Sequence, residues 1–209
     1  MKIRKSGDRG SADIGWLTSN HTFSFGDYYD ADHMGFGPLR VINEDWIRPG
    51  AGFDTHGHQN MEIITYVLEG ALEHKDSLGT GSVIRPGEVQ RMSAGSGIRH
   101  SEYNASSAEQ VHLLQIWVMP RDDGGAPSYD QKRFFEEGDV AAGFTLVASG
   151  DGRMGSLTIG QEADLYAGRF GASERFSHKV EPGRLLWLQI IAGSAVVAGE
   201  TLGAGDGLA

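Results

Sequence analysis

The chain has no cysteine. That excludes a disulfide framework, thiolate metal ligation and a cysteine nucleophile together. Positive charge is also scarce: 18 Lys and Arg stand against 28 Asp and Glu, for a formal net charge of −10. With no Lys/Arg cluster either, nucleic acid is not expected as a partner. No apolar run approaches the length of a membrane span, so no membrane partner is expected. The opening Met1-Lys-Ile-Arg-Lys-Ser-Gly carries charge but no apolar core, so that stretch is not a secretory signal. The expectation is a cytoplasmic protein.

What the chain has in quantity is glycine, 31 of 209 residues, about twice ordinary usage. The glycines lie between short apolar runs, the composition of an all-β chain rich in tight turns. Strands are predicted at Thr22–Phe25, Leu39–Asn43, Glu62–Leu68, Ala71–Lys75 and Val111–Met119. Gly70 is read as the hairpin turn between two of these, and Arg121–Pro127 as an exposed connection. Tyr129–Glu137 is the one stretch with helical character. Further strands are predicted at Phe144–Val147, Gly155–Ile159, Leu165–Phe170 and Leu185–Ile191.

The second half reads as a degraded copy of the first. Trp187-Leu-Gln-Ile-Ile-Ala-Gly193-Ser-Ala-Val-Val lies on Ile64-Thr-Tyr-Val-Leu-Glu-Gly70-Ala-Leu-Glu, and Pro182-Gly183 precedes it as Pro49-Gly50 precedes the first. The division is then 1–127 and 128–209. With that alignment, Lys179 and Glu181 stand where the first half has His56 and His58, and His178 is out of phase. The second unit is therefore expected to hold no metal. It is also expected to be incomplete, with an open sheet edge near Gly193–Leu202 that invites association.

The chemistry concentrates between Pro49 and Asn104. Its pattern is Gly50-x5-His56-x-His58-x3-Glu62-x7-Gly70, followed by Gly97-x2-His100-x-Glu102-x-Asn104. Side chains at i and i+2 of a strand share a face. His56 and His58 can thus point together from one strand, and His100 and Glu102 from another. Three imidazoles and a carboxylate suit a divalent metal, with Fe(II) placed first and Ni, Cu, Mn or Zn as alternatives. Glu62 is a second candidate carboxylate; Glu102 is preferred because it shares a face with His100. The bland reading is a closed four-ligand zinc site without chemistry. His21 and His112 read as structural, His33 as solvated, and His74 as lying behind the ligands.

These motifs resemble those of the cupins, and over nearly the whole chain the pirin family, especially the bacterial pirin-like quercetin 2,3-dioxygenases. The resemblance rests on His21-Thr-Phe-Ser-Phe25, Met34-Gly-Phe36, Leu39–Asn43, the His56/His58 motif, Met92–Asn104 and His112–Trp117. It implies an all-β bicupin, two stacked β-barrels with metal only in the N-terminal one. It further implies His56, His58, His100 and Glu102 as ligands. The implied activity is ring cleavage of a flavonol by dioxygen with release of carbon monoxide, Glu102 serving as the catalytic base. The alternative is a metal-dependent regulatory module that binds a protein partner without turnover.

Overall fold

The structure is a computed structural model and describes residues 1–209 except 137, 141 and 142. The first part of the chain forms β1 (Ile3–Arg4), β2 (Gly10–Asp13), β3 (Leu17–His21), β4 (Leu39–Ile47) and β5 (Gly52–His58). It continues through β6 (Glu62–Glu69), β7 (Leu72–Asp76), β8 (Gly81–Ile84), β9 (Glu88–Ser93), β10 (Ile98–Asn104), β11 (Val111–Val118) and β12 (Ser128–Arg133). Two sheets result: a seven-stranded one in the order β12-β9-β6-β11-β4-β3-β2 and a four-stranded one in the order β5-β10-β7-β8. They face one another. Leu17, Ile47, Val67 and Leu113 of the larger sheet pack with Leu72, Ile84 and Phe53 of the smaller.

Strand β6 shows how the sequence sets the layers. Its residues Glu62 to Val67 are all buried. Ile63 and Val67 point between the two sheets, while Ile64 and Tyr66 point the other way. There they meet Val147, Ala148, Leu157 and Ile159 of the second half. A strand covered on both faces reads as a continuous apolar run rather than an alternation, and Ile63-Ile-Thr-Tyr-Val-Leu68 is one.

The second half forms β13 (Thr145–Ser149), β14 (Leu157–Thr158), β15 (Asp164–Ala167), β16 (Leu188–Gln189), β17 (Ser194–Val197), β18 (Glu200–Gly203) and β19 (Gly207–Leu208). β13 is central in a three-stranded sheet, and β17 and β18 pair as a hairpin. β19 lies between β16 and β1. Residues from the start of the chain thus complete a sheet of the second half, with Ile3 opposite Leu208 and Arg4 opposite Gly207. Asp206 anchors this junction by accepting from the Ser6 and Gly203 backbone N–H groups and from Lys5 Nζ. Those bonds outweigh the burial that would raise its pKa and hold the carboxyl down at about 2.

Four expectations need correction. Gly70 is not a hairpin turn: β6 and β7 lie in different sheets. The chain crosses between layers there with φ of +75°. A Cβ at Gly70 would sit 2.6 Å from the Gln110 carbonyl oxygen, so only glycine fits. Tyr129–Glu137 is not helical over its described residues; Ser128–Arg133 adds an edge strand to β9, and Glu137 lies outside the described residues. Pairing with β9 overrides the local propensity. The aromatic strand expected at Thr22–Phe25 ends at His21, after which Phe25 and Tyr28 form an isolated bridge. His33 is largely buried rather than solvated, its Nδ1 2.8 Å from Asp30 and 3.1 Å from Arg4.

Candidate metal centre

Strand β10 is flanked by β5 on one side and β7 on the other. His100 stands opposite His56 on β5 and opposite Asp76 on β7, while Glu102 stands opposite His74. The β5–β10 register shifts between His100 and Glu102, where Phe53 rather than Asp54 becomes the partner of Glu102. This bulge takes up residues 54 and 55. It turns Phe53 inward onto the core beside Trp16 and leaves Asp54 exposed, although period 2 would place Asp54 on the His56 face. Because β5 is an edge strand, His56 and His58 remain partly open to solvent, while His100 is buried.

The three imidazoles gather. Ring centroids are 4.8 Å apart for His56–His58, 4.5 Å for His56–His100 and 4.9 Å for His58–His100. One ligand atom from each lies within 4.8 Å of the others. Glu102 belongs to a second such group with His74 and His100. His100 is therefore the shared member, and the structure does not draw all four sequence-selected residues into one group. The Glu102 carboxylate is held back by Gln115, whose Nε2 donates to its two oxygens at 2.8 and 3.0 Å, with Thr65 Oγ1 at 3.5 Å. Glu62 is turned away. Its Oε1 faces Gly160 of the second half and its Oε2 accepts from Ser93 Oγ at 2.6 Å.

The electrostatics of His58 and His100 favour the protonation state a metal needs. Burial, reinforced by His56, pushes the His58 pKa down to about 4. Burial and then the neighbouring His56, His58 and His74 push His100 down to about 2. Both rings are thus neutral, with bare nitrogens, across the physiological range. Glu102 moves the other way: burial raises it to about 7, opposed by the Gln115 bond and reinforced by the buried Asp45. His56 Nδ1 lies 2.7 Å from the Asp54 carbonyl, an acceptor only, so the proton sits on Nδ1 and Nε2 is left free. The decisive atom is His100 Nε2, buried without a hydrogen-bond partner. A buried polar atom in that state costs about 1–3 kcal/mol unless something satisfies it. A divalent cation would, and a nitrogen-rich set with one carboxylate and no thiolate is a suitable donor chemistry for one.

Several residues at this site were not singled out from sequence. Trp117 packs edge-on against His58 at 4.9 Å, and its buried Nε1 has no partner. Gln115 and Thr65 hold Glu102. The signal that could have found Gln115 is a polar side chain at the centre of the apolar run Val111–Val118. Of the remaining histidines, His21 Nδ1 contacts Asn43 Oδ1 at 2.9 Å, and His112 donates to Glu44 while stacking on Trp46. His178 packs near Tyr166 and Phe144, away from the cluster.

Comparison with known proteins places this geometry. The Pirin family model matches residues 2–118, and a model described as Quercetinase C-terminal cupin domain matches residues 146–209. The all-β, two-cupin architecture expected from the sequence agrees with both. A protein from Escherichia coli K12 named quercetin 2,3-dioxygenase is 49% identical over 207 residues, covering 99% of this chain and 88% of the relative. A pirin-like protein from Caulobacter vibrioides is 44% identical over 209 residues, covering 99% and 89%. The crystal structure of YhhW from Escherichia coli superposes with a TM-score of 0.94 at 48% identity, covering 99% of this chain and 86% of that one. A second structure, of the bacterial pirin YhhW in complex with nickel(II), gives 0.93 at 48% identity, covering 99% and 87%.

Proposed function

This chain belongs to the pirin family, and on that footing we propose that it is a metal-dependent dioxygenase of the quercetin 2,3-dioxygenase type. The observation that carries the reading is the cluster His56, His58 and His100, with an unpartnered buried His100 Nε2 and a near-neutral carboxyl at Glu102 beside it. We assign the three histidines and Glu102 as ligands. Among divalent metals we place Fe(II) first, with Ni, Cu, Mn and Zn the other results that elemental analysis could return. We retain 1–127 as the metal-bearing unit and 128–209 as the unit without metal, although β1 and β12 each pair across that division. The acidic balance and lack of cysteine support a cytoplasmic setting.

A metal held there would lower the pKa of a bound flavonol hydroxyl and polarise the adjoining carbonyl. The chain supplies the rest. Glu102, buried next to His100, is the carboxylate placed to accept the substrate proton. Gln115 keeps that carboxylate oriented while it does so. The partly open His56 and His58 edge gives the flat ring system its approach, and Trp117 offers an apolar wall beside it. Dioxygen is the second substrate, and ring cleavage releases carbon monoxide.

The test is to bind quercetin anaerobically to metal-loaded protein and then admit oxygen. Loss of the flavonol absorbance and release of carbon monoxide should both require the metal and should vanish in His100→Ala. Turnover that persists without metal would overturn the mechanism. Metal binding without turnover would favour the regulatory reading, in which a protein partner reads the metal state.

A further inference from the structure

Behind His100 lies a hydrogen-bonded row that the reaction itself does not use. Asp76 and His74 share the inner face of β7, and both side chains are fully buried. Asp76 Oδ1 accepts two backbone N–H groups, from Leu78 at 2.9 Å and Thr80 at 3.0 Å. Its other oxygen, Oδ2, lies 3.0 Å from His74 Nε2. The ring of His74 is stacked on Tyr129 at 4.6 Å, and its Nδ1 faces His100 Nδ1 at 3.5 Å.

The row has a direction. Asp76 Oδ2 can only accept, so the single proton of a neutral His74 ring sits on Nε2. His74 Nδ1 is then a lone pair facing His100. The contact between the two Nδ1 atoms needs one proton, and His100 must supply it. That leaves His100 Nε2 bare, and this is the nitrogen that is buried without a partner. We propose that Asp76 and His74 are positioning residues that fix the tautomer of His100, presenting its Nε2 to the metal. The proposal rests on His100 being a ligand, but the tautomer itself can be read in metal-free protein.

Asp76→Asn is the informative change because its orientation is dictated. The two backbone N–H groups of Leu78 and Thr80 require an oxygen, so the Asn amide nitrogen must face His74. A donor in place of an acceptor reverses the row: His74 takes the Nδ1–H form, and His100 is driven to the Nε2–H form, which cannot bind a metal. Long-range proton–nitrogen NMR on the metal-free protein reads both rings directly. Wild type should show His100 protonated on Nδ1 and Asp76→Asn should show it on Nε2. Nickel(II) affinity should fall roughly 10–100-fold, the usual effect of losing an outer partner. His74→Phe, which removes the acceptor while keeping a ring against Tyr129, should release His100 to a tautomer mixture with a similar loss. His74→Asn should recover part of the affinity through its amide oxygen.

An unchanged His100 tautomer in folded Asp76→Asn or His74→Phe overturns the proposal. So does a nickel affinity that falls equally in His74→Asn and His74→Phe. If wild type binds no nickel while the tautomers invert as stated, the metal assignment fails and the positioning row stands.

Discussion

The two halves share a strand-and-corner pattern and differ in what they place beneath it. Gly70 and Gly193 both turn the chain with positive φ between strands of different sheets. In the first half the strand before that pattern carries His56 and His58 facing inward toward His100. At the corresponding positions of the second half, Lys179 and Glu181 pair with each other at 3.0 Å, their side chains 82% and 65% exposed. They lie outside any strand. A metal site needs more than suitable residue types at suitable spacing. It needs a strand whose partner supplies the third ligand, as β10 does for β5.

The largest effect expected from breaking that contrast is at the shared ligand. His100→Ala should abolish both metal retention and turnover, measured by elemental analysis after dialysis and by quercetin consumption. Retained metal would mean that His56 and His58 hold it with other partners. Next is Glu102→Gln, which should weaken metal binding by more than the roughly 10–100-fold seen for an outer partner. The same change should stabilise the metal-free protein. The folded-state pKa of Glu102, about 7, lies above its unfolded value. Ionising it therefore costs stability as pH rises from the ordinary carboxylate range through 7. At pH 8 a neutral Gln should raise unfolding free energy by about 1–3 kcal/mol. Thermal melts at pH 5 and pH 8 check this: the gain should appear at pH 8 and shrink at pH 5.

A smaller, graded effect concerns metal affinity and pH. Because His58 and His100 are already neutral well below pH 6, they do not drive metal loss near pH 6, as free imidazoles would. Glu102 must lose a proton to bind, so affinity should fall about tenfold per pH unit below 7. Nickel titrations from pH 5 to pH 8 measure the slope, and a three-proton slope near pH 6 would count against these shifts. The smallest expected effect is from arming the second half. Lys179→His with Glu181→His should leave metal stoichiometry unchanged, because among the described residues no strand pairs with these positions to offer a third ligand. A second bound metal would break the comparison.

Much of the first half was legible from local pattern. Two i, i+2 pairs picked out the three imidazoles that gather, and strand parity preferred Glu102, which the structure groups with His100 and His74 instead of with all three. What the pattern could not carry is non-local. The bulge at residues 54–55 reverses parity within β5, and nothing in Asp54-Thr55 announces it. His74-x-Asp76 is itself an i, i+2 pair, but its meaning depends on β7 lying beside β10. Tyr129 to Arg133 became a strand because β9 offered an edge. The role of Gly70 required knowing that Gln110 passes 2.6 Å from where a Cβ would be.

The pairing of Ile3 with Leu208 has a consequence for the order of events during synthesis. β2 to β11 contain every partner the histidine cluster needs, and all of them have been made long before β19 exists. Residues 3 and 4 have no described sheet partner until about two hundred residues later, when β19 is made. Loop closure grows costlier with length only slowly, but contacts this distant in sequence form late. The first half can therefore take shape on the ribosome with its leading strand still unpaired. Docking of that strand then reports that β19 has been built.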